Sequence, residues 1–267
     1  MSSKQVLDLF KLTRKVALVT GGAKGLGTAI NEGLLEAGVT TLIFCGRGRH
    51  GSLDAERERL SEKFDANILG VHCDVSDEGS VKNLMQQIKQ NNIERVDILI
   101  NNAGLTWNAP TIDQTLATWR RVIDVNLTGL FLVTREIAND FMIPQIGGSI
   151  INISSILAFQ GIEVGAQIGY TASKSGILGL TRQLAAEWSI YKIRVNAILP
   201  SFIEGNTMAK VFTNEDSPVR DSILDSIPIR RFADFLDMKA AICFLASEAS
   251  SYITGQSLVL DGGMSIK

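Results

Sequence analysis

Short unbroken apolar blocks alternate along the chain with longer segments whose apolar residues recur every three or four positions. The first block, Lys15 to Thr20, predicts a strand buried on both faces, as in a parallel sheet. Blocks at Thr40 to Cys45, Asn67 to Cys73, Val96 to Ile100, Ser149 to Ile153, Ile193 to Leu199 and Ser257 to Leu260 predict six more. Between them, Leu26, Ile30 and Leu34 mark a helix that ends at Gly38. Val81, Leu84, Met85 and Ile88 share one face of a helix capped by Ser76. Ser52 to Phe64 reads as a surface helix with Glu56, Arg57, Glu58 and Arg59 exposed. A long helical region covers Leu116 to Met142, and a later helix buries the stripe Ile177, Leu180, Leu184 and Trp188. Met238 to Ala246 is the last helix. Residues 201–232 lack a clean period and predict a small helical insertion or substrate lid. Strands alternating with helices across short connections predict one doubly wound α/β domain over residues 1–267. Its parallel sheet is Rossmann-like, with seven strands and helices on both faces.

Composition narrows the function classes. The 267 residues are 45% hydrophobic and 20% charged, with a formal net charge of −2, so nucleic acid and anionic membrane surfaces are not expected partners. The start, Met1-Ser2-Ser3-Lys4, has no apolar signal core, and no apolar run is long enough to span a bilayer. Cys45, Cys73 and Cys243 lie far apart in apolar segments without metal-ligand spacing, so they read as buried reduced thiols and no metal is expected. The expected location is cytoplasmic.

The chemistry-bearing residues gather at the carboxyl ends of the predicted strands, where doubly wound sheets bind ligands. Gly21, Gly25 and Gly27 follow the first strand and open a helix, which lets the backbone approach a pyrophosphate. Their Gly-x-x-x-Gly-x-Gly spacing differs from both the Gly-x-Gly-x-x-Gly fingerprint and the phosphate-loop motif. Tyr170 and Lys174 stand one helical turn apart at a helix start, where an ammonium and the helix dipole favour a phenolate. A Tyr so placed is a candidate acid/base.

Taken together, these motifs resemble the short-chain dehydrogenase/reductase family over about residues 10–264, with a modest similarity to its gluconate 5-dehydrogenase and other sugar-acid dehydrogenase members. Thr20-Gly21-Gly22-Ala23-Lys24-Gly25-Leu26-Gly27 is similar to the family's cofactor loop. The resemblance implies that Gly21, Lys24, Gly25, Leu26 and Gly27 hold the cofactor phosphates. It places Asp74 and Val75 at the adenine, Asn102, Ala103 and Gly104 after strand four, and Pro200 and Ile203 near the nicotinamide. Asn126, Ser155, Tyr170 and Lys174 match the catalytic tetrad. On that match Tyr170 exchanges the proton, Lys174 lowers its pKa and binds the nicotinamide ribose, Ser155 donates to the substrate oxygen, and Asn126 anchors a water chain to Lys174. Tyr170 and Lys174 thus also count as cofactor contacts.

The end of strand two carries Gly46 where a carboxylate would select NAD, followed by Arg47, with Arg49 close behind and Lys24 in the glycine loop. Guanidinium suits a 2′-phosphate, so NADP(H) is expected, with NAD(H) as the secondary cofactor. The chain departs from the family in having fourteen residues between Ser155 and Tyr170, more than usual, which places the extra ones in Gly161 to Gln167. It also has Pro200-Ser201 for the usual Pro-Gly, and Gly205 where many members carry a Thr, with Thr207 two residues on. Trp107, Phe159, Phe202 and Met208 are candidate pocket walls, and Arg230 and Arg231 the candidate carboxylate binders. The expected activity is hydride transfer between NADP(H) and a carbonyl or secondary alcohol of a sugar acid, sugar or polyol. A 3-oxoacyl carrier-protein reductase or general ketone reductase is the alternative, and a non-catalytic NADP-binding sensor a remote one. The resemblance also implies a homotetramer packed partly through the Tyr170 helix.

Overall fold

A computed structural model describes residues 5–48, 51–161, 166–206 and 209–266. Seven parallel strands form one sheet in the order β3-β2-β1-β4-β5-β6-β7. They are β1 Val16–Thr20, β2 Thr41–Gly46, β3 Asn67–His72, β4 Ile98–Asn101, β5 Gly148–Ile153, β6 Ile193–Pro200 and β7 Ser257–Leu260. The β1, β2, β4 and β5 interiors are buried on both faces, as helix-covered parallel strands require. One core lies under α3 (Glu78–Gln90) and α5 (Gly129–Ile137), and includes Leu84, Ile88, Leu99 and Val133. The other lies under α1 (Leu26–Glu36) and α9 (Phe235–Ala246), and includes Ile30, Leu34, Phe44 and Ile242.

The predicted helical region from Leu116 to Met142 is continuous, with two π turns within it. α4 (Leu116–Ile123) and α5 are separated by a π turn, Asp124–Thr128, and a second one, Ala138–Met142, follows α5. The first turn carries Asn126 inward, where it is buried. Residues 210–226 supply two short helices, α7 (Lys210–Thr213) and α8 (Arg220–Ser226), at the predicted insertion.

Three sequence expectations are corrected. Asp77, not Ser76, caps α3, because its carboxylate accepts the Ser80 amide while Ser76 bonds Asp74 instead. In α6 (Ile168–Trp188), Leu178, Thr181 and Ala185 join Ile177 and Leu184 in the buried face, and Leu180 and Trp188 are half-buried. Glu56, on α2 (Ser52–Lys63), is buried rather than exposed. It accepts hydrogen bonds from Asn31 at 3.2 Å and from Arg59 at 2.9 Å, which compensate its carboxylate.

Glu32 ties three helices together. Its carboxylate sits 2.8 Å from Lys239 on α9, 2.8 Å from Lys63 and 2.9 Å from Arg59 on α2. The bonds from Lys239 and Lys63 chiefly hold its pKa at about 2, against burial, with Arg59 assisting. A depressed carboxylate pKa stabilises the fold above the ordinary value of 4.5, and that stability is lost as pH falls towards 2. Glu32→Gln should therefore cost about 1–3 kcal/mol at pH 7 and flatten the acid limb of thermal stability plotted against pH. An unchanged melting curve at neutral pH would contradict this.

Candidate active site

Helices leave β1 and β4 on opposite sides of the sheet, which opens a crevice between the loops that follow these two strands. Thr20 closes the base of that crevice. Its hydroxyl accepts the backbone amides of Asn102 and Ala103, each at 3.0 Å. In return the Asn102 side-chain amide donates to the carbonyls of Thr20 and Gly21 at 3.0 and 3.2 Å. Two glycines make the adjoining turn feasible. Gly25 has φ 57° and ψ −131°, and a Cβ on Gly27 would lie 2.1 Å from the Gly21 carbonyl oxygen. Asn31 donates to the Gly22 carbonyl at 2.8 Å and is itself held by Glu56. The turn before α1 is thus braced from beneath by side chains of α1 and α2.

This crevice is continuous with a cavity of about 410 Å³ at the carboxyl edge of the sheet. Gly21, Lys24, Gly25, Leu26, Gly27, Asn102, Ala103 and Gly104 line one part, and Pro200 and Ile203 approach from β6 and the loop after it. Ser155, Tyr170 and Lys174 line the same cavity. Arg47, Asp74, Val75 and Asn126 stand outside its lining. Lys24 and Arg47 are exposed cations, and a Cβ at Gly46 would meet nothing within 4 Å, so the end of β2 leaves room for a bulky anionic group beside Arg47. Burial works against ionised Asp74, but bonds from Ser76 and then the charges of Arg47 and Arg121 keep its pKa below the ordinary carboxylate value. Arg49 lies outside the described residues.

The acid/base pair is set by three segments. Tyr170 and Lys174 occupy the first turns of α6, and Ser155 leaves β5 just before a short 3-10 turn. The Ser155 oxygen accepts the Leu157 amide at 3.2 Å, so its own proton is available to the Tyr170 phenol, with which it hydrogen-bonds. Ser154 points away and donates to the Lys174 carbonyl at 2.9 Å. Lys174 donates to the Ile153 carbonyl at 2.6 Å, and its ammonium lies 5.4 Å from the Tyr170 ring centroid. Burial pushes the Tyr170 phenol up to about 12 despite Ser155, and pulls the Lys174 ammonium down to about 8. The expected lowering of the Tyr170 pKa by Lys174 is not found; burial, which penalises the charged form of each group, sets the direction of both shifts.

Asn126 braces the neighbouring loop. Its side chain clamps Leu105, accepting that residue's amide at 2.8 Å and donating to its carbonyl at 2.9 Å, and donates to Ser173 at 3.0 Å. It thereby fixes the loop after Gly104 against α6. Behind it, Asn101 donates to Thr134 and Asn152, and Asn152 to Thr181, all within 2.9 Å. This buried polar chain joins β4, β5, α5 and α6. Asn31 and Asn152 were missed by sequence reasoning because each reads locally as an ordinary polar residue, and the long-range bonds of Thr20, Asn101 and Ser173 were not legible inside their motifs.

Of the expected walls, Phe202 lines the cavity, joined by Phe212, Asn206 and Ala209, whereas Trp107 and Phe159 are exposed. Met208, Thr207 and residues 162–165 fall outside the described residues. Arg230 pairs with Asp225, and Arg231 with Asp237 at 2.6 Å, so neither faces the cavity as a carboxylate binder.

Comparison with known proteins gives this geometry its context. A short-chain dehydrogenase family model, described as enoyl-(acyl carrier protein) reductase, matches residues 21–265. The chain belongs to the short-chain dehydrogenase/reductase family. It is 38% identical over 254 residues to the 3-oxoacyl-[acyl-carrier-protein] reductase of Aquifex aeolicus, covering 95% of this chain and 98% of that one. It is also 38% identical over 263 residues to the 2-dehydro-3-deoxy-D-gluconate 5-dehydrogenase of Pseudoalteromonas atlantica, with 97% and 98% covered. The crystal structure of a gluconate 5-dehydrogenase from Burkholderia cenocepacia, in complex with NADP and tartrate, superposes with a TM-score of 0.89 at 30% identity. That match covers 98% of this chain and 100% of the other. As a member of this family the chain is an oxidoreductase acting on CH–OH groups. Among the described residues no helix is long and apolar enough to cross a membrane.

The desolvated phenol makes a spectroscopic prediction. In the cofactor-free protein, the ultraviolet difference titration between wild type and Tyr170→Phe should show no phenolate from Tyr170 below about pH 11. A Tyr170 phenolate near neutral pH would show that Lys174 dominates after all.

Proposed function

We propose that this short-chain dehydrogenase/reductase is NADP(H)-dependent and interconverts a carbonyl and a secondary alcohol on a sugar acid, sugar or related polyol. The observation that carries the reading is the convergence of Ser155, Tyr170 and Lys174 on the cavity that the glycine loop also lines. Room at Gly46 beside Arg47, with Lys24 on the loop, supports a 2′-phosphate. Those residues and the backbone from Gly21 to Gly27 would hold the cofactor, with Asp74 and Val75 towards the adenine and Asn102 to Gly104, Pro200 and Ile203 further along. Bound NADP(H) supplies or accepts the hydride.

The protein's own part is proton transfer and charge stabilisation. In the reducing direction Tyr170 gives its phenolic proton to the carbonyl oxygen as that oxygen gains charge, and Ser155 donates a hydrogen bond to the same atom. Lys174 faces the Tyr170 ring and favours the phenolate left behind, which solvent then reprotonates. Asn126 keeps Leu105, and so the wall opposite α6, in place. At the substrate end, Phe212 of α7 packs edge-on against Phe202. Exposed apolar side chains on α4 and α5, Leu116 and Phe131, are compatible with the expected homotetramer. The similarity to a 3-oxoacyl reductase supports the alternative substrate, an acyl thioester.

Following NADPH consumption with keto-sugar acids, ketoses, diketones and acetoacetyl thioesters tests the substrate class, and turnover confined to the thioesters would overturn it. Tyr170→Phe should lower kcat by about 10³-fold or more with NADPH affinity unchanged, since it removes the proton and leaves the ring. Substantial residual turnover would exclude Tyr170 as the acid/base. Gly46→Asp should raise KM for NADPH at least tenfold relative to KM for NADH, roughly the effect of setting a carboxylate against a phosphate. Equal effects on both cofactors would rule out 2′-phosphate recognition at this position.

A further inference from the structure

Beyond the carbonyl itself, the cavity must recognise its substrate with neutral groups. Among the described residues only two cations line it. Lys24 belongs to the glycine loop, and Lys174 bonds the Ile153 carbonyl. One neutral polar side chain of the lining, Gln167, lies in the lengthened segment just before α6. Gln167 precedes the first residue of α6, three positions before Tyr170, with φ of −138° and ψ of 52°. The Thr106 hydroxyl, on the loop after Gly104, donates to the Gln167 Oε1 at 2.5 Å, and the Ala109 amide donates to the Ala166 carbonyl at 3.0 Å. Two loops 61 residues apart in sequence are thereby laced together, and Thr106 and Gln167 both line the cavity with Tyr170 and Ser155.

The Thr106 bond also orients the amide. With Oε1 engaged, the Nε2 group turns its two N–H donors away from Thr106. We propose that Gln167 Nε2 donates to a hydroxyl oxygen on the carbon beside the reacting carbonyl, and that Thr106 is the positioning residue that holds the amide in that sense. The enzyme then selects α-hydroxy ketones over plain ketones, because a site built to bond a hydroxyl leaves a polar group unpaired when the hydroxyl is missing. This rests on the carbonyl-reductase reading above, and deepens it by naming the substrate feature read.

Acetoin and butanone differ by that one hydroxyl and serve as probes, with NADPH oxidation as the readout. The wild type should prefer acetoin by about tenfold or more in kcat/KM. Gln167→Leu removes both donors and the acceptor without adding a charge. It should raise KM for acetoin far more than KM for butanone, until the preference falls below about threefold. Thr106→Val should show a partial loss of the same kind. Equal losses on both ketones in Gln167→Leu would make Gln167 a loop tether only and overturn the proposal, as would a wild type without preference. Failure of the wild type to reduce either ketone, or any carbonyl of the substrate panel, would overturn the carbonyl-reductase reading and this proposal with it. Acetoin preference without turnover of keto-sugar acids would sink only the sugar-acid assignment.

Discussion

The tie between Thr20 and the Asn102-Ala103 backbone is the constraint on which the site depends. β1 and β4 are neighbours in space, yet 82 residues separate Thr20 from Asn102, and the chains that follow them diverge to opposite faces of the sheet. Without a bond across the gap, two loops rich in small residues would have little to hold them at a fixed separation. One hydroxyl accepting two amides, answered by an amide donating to two carbonyls, satisfies both turns at once. The crevice stays open because the polar groups lining its base already have partners.

From that point outward the polar framework follows the same logic. Asn126 presents one acceptor and one donor to Leu105, which turns a free loop into a wall, and Ser173 passes the constraint to the Tyr170 carbonyl at 2.7 Å. The chain Thr134-Asn101-Asn152-Thr181 does the same beneath the sheet edge. Buried polar networks of this kind are costly unless every member is paired, so they restrict the arrangements open to the apolar layers around them. The widened turn at Asp124–Thr128 belongs to this framework, since it brings Asn126 inward without ending the helical run.

Electrostatics at the acid/base pair are governed by burial first and pairing second. Tyr170 at about 12 and Lys174 at about 8 are both displaced towards their neutral forms. Local spacing suggests the opposite for the tyrosine, because spacing reports which groups are near and says nothing of the water they lose. Both shifts favour the neutral side chains, and the neutral phenol is the form that donates a proton to a carbonyl oxygen.

Much of the architecture is determined locally by the sequence. The apolar blocks predicted seven strands, each within two residues of its bounds, most plainly at β1, β2, β4 and β5, which are covered on both faces and so are largely apolar. The glycine spacing and the Tyr170–Lys174 turn are likewise short-range patterns, legible wherever they fall. The cap at Asp77, the burial of Glu56 and the π turns within the Leu116 to Met142 helical region were decided by packing against other elements. So were the partners of Asn126 and the meeting of Thr106 with Gln167. Those contacts span 25 residues for Glu56 with Asn31, 47 for Asn126 with Ser173 and 61 for Thr106 with Gln167. A helical or strand period extends over one element only, whereas a hydrogen bond between elements exists only once the sheet has set their distance.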